Sequence, residues 1–322
     1  MTLTHTDREE RIKQAFFRGG DLTLENDAYR RAVRSLTEAL LQEDLASGDL
    51  TAAAIELKST RVSAVAIARE SGIIAGLLEI ALLYRGNGID TVLEKRDGDA
   101  IRPGDVVLLA QGEQTKLLAM ERVGLNLLQR MSGIASASHR VQERVRESGS
   151  ETRIVGTRKT PWGLLDKRAL HLGGVGTHRL SLGDAILIKN NHLALLADRE
   201  EEAAPLAIER AWKMRGKSAF IEVEVRGEAA ARAAAASFGK LLEQSGEEYP
   251  CVLMLDNMTP VQISAILETL RRENLLEYVL VEASGGISEA NAVEYAATGV
   301  DAISIGALTH SVRVLDFCQR IS

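Results

Sequence analysis

The sequence contains little cysteine and no apolar run long enough to cross a membrane. Its 322 residues include two cysteines, Cys251 and Cys318, and neither lies in a CxxC pair or a Cys/His cluster. These absences exclude a zinc motif and a disulfide framework, and they favour a reducing, cytoplasmic compartment. The longest apolar stretch, 72–84, is interrupted by Glu79 and falls short of the roughly 20 residues that span a bilayer. The first residues are polar, so we expect no signal peptide.

Several common functional motifs are also missing. The formal net charge of −6 argues against nucleic acid as the main partner, because binding to a phosphate backbone needs a basic surface. The chain shows no Walker loop, no Ser/His/Asp arrangement and no GxGxxG motif after a first predicted strand. The glycine-rich run 173–176 lies between a helix-like and a strand-like segment, and we interpret it as a loop.

The length predicts two domains, since one domain takes about 150 residues. In the first part of the chain, apolar residues recur at helical spacing over 27–41 and 116–131, and they alternate over 61–68. An apolar run at 106–110 predicts a further strand. This mixture predicts an α+β domain over residues 1–135.

From about residue 152, short apolar runs alternate with helical or loop segments. The six runs are 153–156, 185–188, 220–225, 252–255, 278–281 and 302–305. Strands that alternate with helices indicate parallel β-α units, and continuous apolar runs suit strands covered on both faces. We therefore predict an α/β barrel domain over residues 136–307.

Charged residues or glycines follow all six runs. In an α/β barrel, the C-terminal ends of the strands converge on the face that holds the active site. The basic candidates for this face are Arg158, Lys159, His178, Arg179 and Lys189. Several cations in one pocket repel one another without an anion, so they predict a substrate with more than one negative charge.

Other cations of this region are expected to lie outside the site. Arg168 follows no predicted strand, and we expect it to face outward in a surface salt bridge.

Acidic residues form the other half of the predicted site. Glu222 and Glu224 lie two apart on one strand and therefore share a face, and Asp256 ends the next strand. Two carboxylates near a pyrophosphate favour Mg²⁺, held by them together with substrate oxygens. A structural ion pair with a nearby lysine or arginine is the alternative.

Glycines follow the last two runs. Ser284, Gly285 and Gly286 come after the fifth run, and Gly306 comes after the sixth. Glycines after late barrel strands let backbone N–H groups approach a phosphate, although a glycine pair also makes ordinary turns. Together, these residues predict a barrel enzyme with a cation-lined pocket, a Mg²⁺ site and a phosphate cradle.

These motifs resemble those of quinolinate phosphoribosyltransferase, also called carboxylating nicotinate-nucleotide pyrophosphorylase. The matching segments are GDLT from Gly48, ERVGLNLLQRMSGIAS from Glu121, TRKT from Thr157, THRLSLGDAILIKNNH from Thr177, IEVEV from Ile221, LDNM from Leu255, EASGGI from Glu282 and GVDAISIGALTHS from Gly299. Their number and their order along most of the chain argue against a chance resemblance.

The resemblance implies an N-terminal α+β open sandwich and a C-terminal incomplete α/β barrel of the type II phosphoribosyltransferase class. Residues 308–322 would pack back onto the first domain. The resemblance also implies a homodimer or higher homo-oligomer with shared active sites, in which Arg122 reaches into the partner's site. No nucleic acid and no membrane partner is expected.

The resemblance also assigns roles to the candidate residues. Quinolinate binding is implied for Arg122, Arg158, His178, Arg179 and Lys189. Binding of phosphoribosyl pyrophosphate is implied for Lys159, Glu224, Asp256, Ser284, Gly285, Gly306 and His310. Lys159, Glu224 and Asp256 would be catalytic, with Glu224 and Asp256 near Mg²⁺. The implied reaction converts the two substrates to nicotinate mononucleotide, CO2 and pyrophosphate in de novo NAD biosynthesis.

Two segments differ from the common pattern of that family. Many members read TRKTTPGLR where this chain has TRKTPWGLLDK, and many read NHR where it has THR at 177–179. The alternatives are a quinolinate phosphoribosyltransferase-like paralogue associated with molybdenum transport, a nicotinate phosphoribosyltransferase, and an inactive barrel that serves as a binding partner. The retained basic residues favour a substrate with two carboxylates over one with a single carboxylate.

Overall fold

The structure, a computed structural model, describes residues 5–57 and 60–321, which form two compact units. The barrel unit contains the residues up to Arg18, together with Arg140–Lys159 and Val175–Ala307. The sandwich unit contains Gly19–His139, Thr160–Gly174 and the residues from Leu308 onward. None of the helices in this part of the chain combines the length and the hydrophobicity that crossing a bilayer requires.

Helices and strands alternate along most of the described chain. The helices are α1 (His5–Phe16), α2 (Asp27–Asp44), α3 (Leu50–Ala54), α4 (Leu77–Gly86), α5 (Gln114–Glu147), α6 (Leu164–Leu172), α7 (Asn190–Leu193), α8 (Glu200–Trp212), α9 (Glu228–Ser245), α10 (Pro260–Arg272), α11 (Ala292–Ala296) and α12 (Ala307–His310). The strands are β1 (Arg61–Ala68), β2 (Gly72–Ile73), β3 (Asp90–Leu93), β4 (Ala100–Ile101), β5 (Val106–Glu113), β6 (Arg153–Val155), β7 (Ile186–Ile188), β8 (Ile221–Val225), β9 (Cys251–Asp256), β10 (Leu280–Ser284), β11 (Ala302–Ser304) and β12 (Phe317–Ile321). Short 3₁₀ helices lie at Gly19–Asp21, Arg215–Lys217 and Leu276–Tyr278.

The sandwich unit is built on an antiparallel sheet of strand order β12-β1-β5-β3. Strand β1 has the bounds that alternation predicts, and towards its end Ala64, Ala66 and Ala68 are buried in turn. The last strand, β12, pairs with β1, so the end of the described chain contributes an edge strand to this sheet.

The barrel unit contains a six-stranded parallel sheet of order β6-β11-β10-β9-β8-β7. All five residues of β8 are buried, as are the first five residues of β9, because helices cover both faces of such a sheet. Each of the six predicted runs overlaps a strand of this sheet, and the predicted α/β class with a separate small-sheet domain is confirmed.

One predicted strand begins too early. The run predicted from residue 278 becomes strand β10 only at Leu280, because Tyr278 ends a 3₁₀ helix. Its ring packs against the backbone of α9, where a Cβ added at Gly239 would lie 2.7 Å from ring atom Cδ2. The aromatic residue therefore serves helix packing rather than the sheet.

The longest helix, α5, extends well beyond the predicted segment 116–131. It continues to Glu147 because buried apolar residues recur on one face as far as Val145. The sequence-based division at residue 135 falls inside this helix and stays a prediction. The structure groups two further segments differently, since the residues up to Arg18 belong to the barrel unit and Thr160–Gly174 belong to the sandwich unit.

A buried polar network centres on Glu79 in the sandwich unit. The Tyr29 hydroxyl donates to Glu79 Oε1 at 2.5 Å, and Arg168 Nε lies 3.9 Å from the same oxygen. The expectation that Arg168 faces outward is wrong, because only 8% of the residue is exposed. Burial, and then the nearby charge of Asp97, raise the pKa of Glu79 to about 7.

Replacing Glu79→Gln should flatten the dependence of stability on pH. Because the pKa of Glu79 is higher in the folded protein than the ordinary 4.5, its contribution to stability is present at acid pH and is lost as pH rises to about 7. The free energy of unfolding should therefore fall over this window by on the order of 1–3 kcal/mol more in the wild type than in the variant. Chemical denaturation at several pH values measures this difference, with the exposed Glu38→Gln as control. Equal slopes for the wild type and Glu79→Gln would contradict the assignment.

Candidate active site

A cavity of about 400 Å³ opens at the C-terminal ends of the parallel strands in the barrel unit. Its lining residues are Gly156, Thr157, Arg158, Lys159, His178, Arg179, Leu187, Lys189, Glu224, Met254, Asp256, Glu282, Ser284 and Ser304. Every strand of the sheet thus sends its last residues, or the loop that follows it, to one place, as the barrel prediction requires.

A larger cavity of about 670 Å³ lies in the same unit but carries less chemistry. It is lined by Arg153 and Asp301, next to the N-terminal ends of β6 and β11. Arg8 binds Asp301 at 2.6 Å there, and Arg153 lies 3.3 Å from Glu9. Because its charges already pair within the protein, we place the active site in the smaller cavity.

One side of the smaller cavity is basic. Arg158 and Lys159 follow β6, and Lys189 directly follows β7, where its backbone N–H binds His192 Nδ1 at 2.8 Å. Arg179 lies in the loop before β7 and is only 8% exposed. Burial, and then the positive charge of Arg158, lower the pKa of the Arg179 guanidinium below its ordinary value. This side is therefore complementary to an anion with several negative oxygens.

The other side is acidic. Glu224 lies near the end of β8 and Asp256 ends the neighbouring β9, so their carboxylates project into the same cavity. Burial, and then the charge of Asp256, raise the pKa of Glu224, while Lys189 opposes the shift. Two carboxylates under mutual repulsion form a donor set of hard oxygens, which fits a magnesium ion that completes its shell with substrate and water oxygens.

The turn after β10 requires glycine. Gly285 has a φ of +94°, and a Cβ at this position would lie 2.4 Å from Asn257 Oδ1. The Asn257 N–H donates to the Ser284 carbonyl at 2.9 Å, and the Ser304 hydroxyl donates to Ser284 Oγ at 2.9 Å. Ser284, which lines the cavity, is thus held by contacts from both sides, one from the residue after β9 and one from β11.

The structure brings together most of the predicted site residues. Eight of them line the cavity, namely Arg158, Lys159, His178, Arg179, Lys189, Glu224, Asp256 and Ser284. Gly285 and Gly306 lie beside it in the turns after β10 and β11 but do not line it. Arg122 on α5 and His310 on α12 are exposed residues of the sandwich unit, and neither lines the cavity.

A buried cluster of His178, Glu222 and Glu282 lies at the cavity. His178 Nε2 is 3.0 Å from Glu222 Oε2 and 3.3 Å from Glu282 Oε2. Both carboxylates are fully buried, and among the described residues neither has a hydrogen bond with good angles. Sequence reasoning missed Glu282 as a site residue, and its only signal was an acidic residue directly after the predicted apolar run 278–281.

Contacts within this cluster shift the pKa values of His178 and Glu222. Burial opposes a charge on His178, whereas the nearby carboxylates of Glu222 and Glu282 favour one and raise the pKa of the imidazole. Burial, and then Glu282, raise the pKa of Glu222 to about 7. The Arg179 N–H nevertheless donates to Nδ1 of His178 at 2.7 Å, so this nitrogen carries no proton and the ring is the neutral form with its proton on Nε2. The Nε2 proton therefore lies between two carboxylates, at 3.0 Å and 3.3 Å from the ring nitrogen.

Comparison with known proteins gives consistent matches over most of the chain. The family model of the quinolinate phosphoribosyl transferase C-terminal domain matches residues 134–319, and the model of the N-terminal domain matches residues 49–132.

Curated relatives and solved structures agree with these family models. A probable nicotinate-nucleotide pyrophosphorylase (carboxylating) of Archaeoglobus fulgidus is 37% identical over 277 residues, which is 85% of this chain and 98% of that protein. A nicotinate-nucleotide pyrophosphorylase (carboxylating) of Mycobacterium leprae is 37% identical over 293 residues, 88% of this chain and 95% of that protein. The structure of nicotinate-nucleotide pyrophosphorylase from Francisella tularensis superposes with a TM-score of 0.76 at 28% identity, covering 91% of this chain and 96% of that one.

Replacing Gly285→Ala should damage the turn after β10. The new Cβ would meet Asn257 in a left-handed backbone conformation, so we expect a loss of about 1–3 kcal/mol in the free energy of unfolding. We also expect weaker binding of inorganic pyrophosphate in the presence of Mg²⁺, because Ser284 would move. Denaturation and titration calorimetry measure the two effects, and Gly216→Ala, where the Cβ meets nothing within 4 Å, is the control. Unchanged pyrophosphate binding in Gly285→Ala would argue against a phosphate site at this turn.

Proposed function

Because the chain belongs to the quinolinate phosphoribosyl transferase family, we propose that it joins quinolinate to phosphoribosyl pyrophosphate and releases nicotinate mononucleotide, CO2 and pyrophosphate. This is a step of de novo NAD biosynthesis. One observation carries the proposal: a single cavity holds cations on one side and a carboxylate pair on the other, with Ser284 and its glycine turn beside them.

The basic side suits a dicarboxylate. Arg158 and Arg179 can each bind a carboxylate through a planar guanidinium, and Lys189 adds a compact positive charge. Arg179 is buried next to Arg158, and their repulsion is relieved when an anion arrives between them. A substrate with two adjacent carboxylates therefore gains more binding free energy in this cavity than a substrate with one carboxylate.

The acidic side suits a pyrophosphate that is bound with magnesium. Glu224 and Asp256 would hold the ion, which neutralises charge on the pyrophosphate when it is bound. Lys159 would stabilise the departing pyrophosphate, and Ser284 with the Gly285 and Gly306 turns would hold phosphate oxygens.

The chemistry then follows from positioning and fixed charges. The basic residues orient the pyridine ring so that its nitrogen faces the ribose C1, which becomes positive as pyrophosphate leaves. The negative charges of Glu224 and Asp256 stabilise this developing positive charge. The pyridine nitrogen forms the new bond to C1, and the cationic ring loses its 2-carboxylate as CO2. The positive nitrogen stabilises the carbanion left at that carbon, which then takes up a proton.

We further propose that the active form is a homodimer with shared sites. Arg122 and His310 carry predicted substrate roles, yet neither lines the cavity of its own chain. Exposure of Arg122 on α5 is consistent with a side chain that completes the site of a second copy.

Turnover tests the proposed reaction directly. With quinolinate, phosphoribosyl pyrophosphate and Mg²⁺, we expect nicotinate mononucleotide and CO2, measured by chromatography and CO2 release. Lys159→Ala should lose most of this activity at an unchanged unfolding temperature, whereas the exposed Lys213→Ala should keep it. Product from nicotinate but not quinolinate would overturn the substrate assignment, and no product from either would favour a paralogue or an inactive barrel.

Mixing inactive variants tests the shared site. If Arg122 serves the partner's cavity, Arg122→Ala and Asp256→Asn should each be inactive, but a mixture with exchanged subunits should regain activity. Random pairing leaves about a quarter of the sites intact, which sets the expected recovery. The control mixes Lys159→Ala with Asp256→Asn, two changes in the same cavity, and should regain nothing. Equal recovery in both mixtures, or none in either despite proven exchange, would exclude a shared site.

A further inference from the structure

His178, Glu222 and Glu282 form a buried cluster, and the proposed reaction assigns no role to its two carboxylates. His178 and Glu282 line the cavity, while Glu222 lies behind them on β8. His178 is 5% exposed as a residue, and Glu222 and Glu282 are fully buried. The side chains therefore lie at the floor of the pocket, where water cannot compensate their charges.

The His178 ring directs both nitrogens at protein groups. Nδ1 accepts the Arg179 backbone N–H at 2.7 Å, and Nε2 faces the two carboxylates. The ring also packs against Phe16, with centroids 5.6 Å apart, and edge-on against Phe220 at 5.4 Å. Both nitrogens therefore face protein groups, although Nε2 makes no hydrogen bond of good geometry within the described residues. Direct binding of a substrate carboxylate by His178 stays a prediction.

The same geometry disfavours a metal ion at the cluster, although the three side chains offer ligand atoms within 4.8 Å of one another. Because Nδ1 accepts a hydrogen bond, the ring must carry its proton on Nε2. A metal ion needs a bare nitrogen at that position. The arrangement is instead that of an imidazole held between two carboxylates.

The backbone beside His178 connects the cluster to Arg179. His178 has a φ of +54°, a conformation that non-glycine residues rarely adopt, and its N–H donates to the Phe16 carbonyl at 3.0 Å. The next residue is Arg179, whose backbone N–H is fixed by the ring and whose guanidinium lies in the cavity. The charge of Glu222 also favours the positive form of Arg179, against burial and Arg158.

We propose that Glu222 and Glu282 are positioning residues that act through His178 to hold Arg179 where it receives a carboxylate of the substrate. The inference rests on the proposed function only in taking a dicarboxylate as the ligand of the basic side. Two buried carboxylates with one shared partner are a costly way to stabilise a fold, which is consistent with a role in the site rather than in the core.

Binding of phthalate, an unreactive aromatic 1,2-dicarboxylate, tests the proposal without turnover. Glu222→Gln and Glu282→Gln should each weaken phthalate binding about tenfold in titration calorimetry, because Arg179 is displaced. Their unfolding temperatures should stay equal to or above that of the wild type, since one of two like charges is removed. Glu79→Gln, which also replaces a fully buried carboxylate but in the sandwich unit, should leave phthalate binding unchanged.

His178→Phe separates the two possible roles of the imidazole. The phenyl ring can keep the contacts with Phe16 and Phe220 but leaves both carboxylates without a partner, so we expect lower stability and weaker phthalate binding. Adding Glu222→Gln and Glu282→Gln should restore stability but not phthalate affinity. Full phthalate affinity in both glutamine variants, with a loss only in His178→Phe, would overturn the proposal in favour of direct substrate binding by His178.

Further outcomes separate this inference from the proposed reaction. Binding of inorganic pyrophosphate with Mg²⁺ should be unchanged in all these variants, because the cluster acts on the basic side alone. A fall in unfolding temperature in both glutamine variants that matches their loss of affinity would show a merely structural role and overturn the proposal. Failure of the wild type to bind phthalate would also overturn the proposal. Absence of quinolinate turnover together with the expected phthalate pattern would reject the reaction and retain the inference.

Discussion

The site depends on one electrostatic constraint, which is that like charges must be held close together before a substrate neutralises them. Arg179 lies buried beside Arg158, and Glu224 lies buried beside Asp256, so burial and a neighbouring like charge lower the pKa of Arg179 and raise that of Glu224. A flexible surface would relax this arrangement by moving the side chains apart. For Glu224 and Asp256 the parallel sheet prevents it, because hydrogen-bonded neighbours fix where β8 and β9 end. In the loop that carries Arg179, the hydrogen bond from the Arg179 N–H to the His178 ring restricts the backbone. The resulting pocket is complementary to an anion on one side and to a metal-bound anion on the other.

The pairing register of the strands determines which side chains meet in the pocket. Asp256 pairs with Ser284 across β9 and β10, which places the carboxylate and the hydroxyl at the same level of the sheet. The turn after Ser284 then passes so close to Asn257 that position 285 admits only glycine. The segments that contain Asp256 and Gly285 lie apart in the sequence but contact each other in the fold.

Most of the fold and much of the site could be predicted, and the exceptions have physical reasons. Apolar runs locate the six parallel strands because burial on both faces leaves little choice of residue. Tyr278 misleads because its ring packs on α9, and Arg168 misleads because its partner, Glu79, is distant in sequence and buried. The resemblance to the family is confirmed, whereas the roles of Arg122 and His310 stay predictions, since one chain's cavity does not include them. Glu282 escapes sequence reasoning because alternation cannot show what a buried carboxylate faces.

The buried carboxylates Glu79, Glu222 and Glu282 differ in their partners more than in their burial, and the partners indicate their roles. Burial, followed by a nearby carboxylate, raises the pKa of both Glu79 and Glu222 to about 7. One oxygen of Glu79, Oε1, nevertheless accepts a hydrogen bond from Tyr29, whereas neither oxygen of Glu222 or Glu282 has a hydrogen-bond partner among the described residues. Glu222 and Glu282 share one imidazole at ion-pair distance, and that imidazole holds the backbone of Arg179 in the pocket. Burying a carboxylate without hydrogen bonds costs free energy. Glu222 and Glu282 nevertheless lie at the pocket floor, next to Arg179, which must stay charged. Holding Arg179 in place is the explanation that accounts for their position.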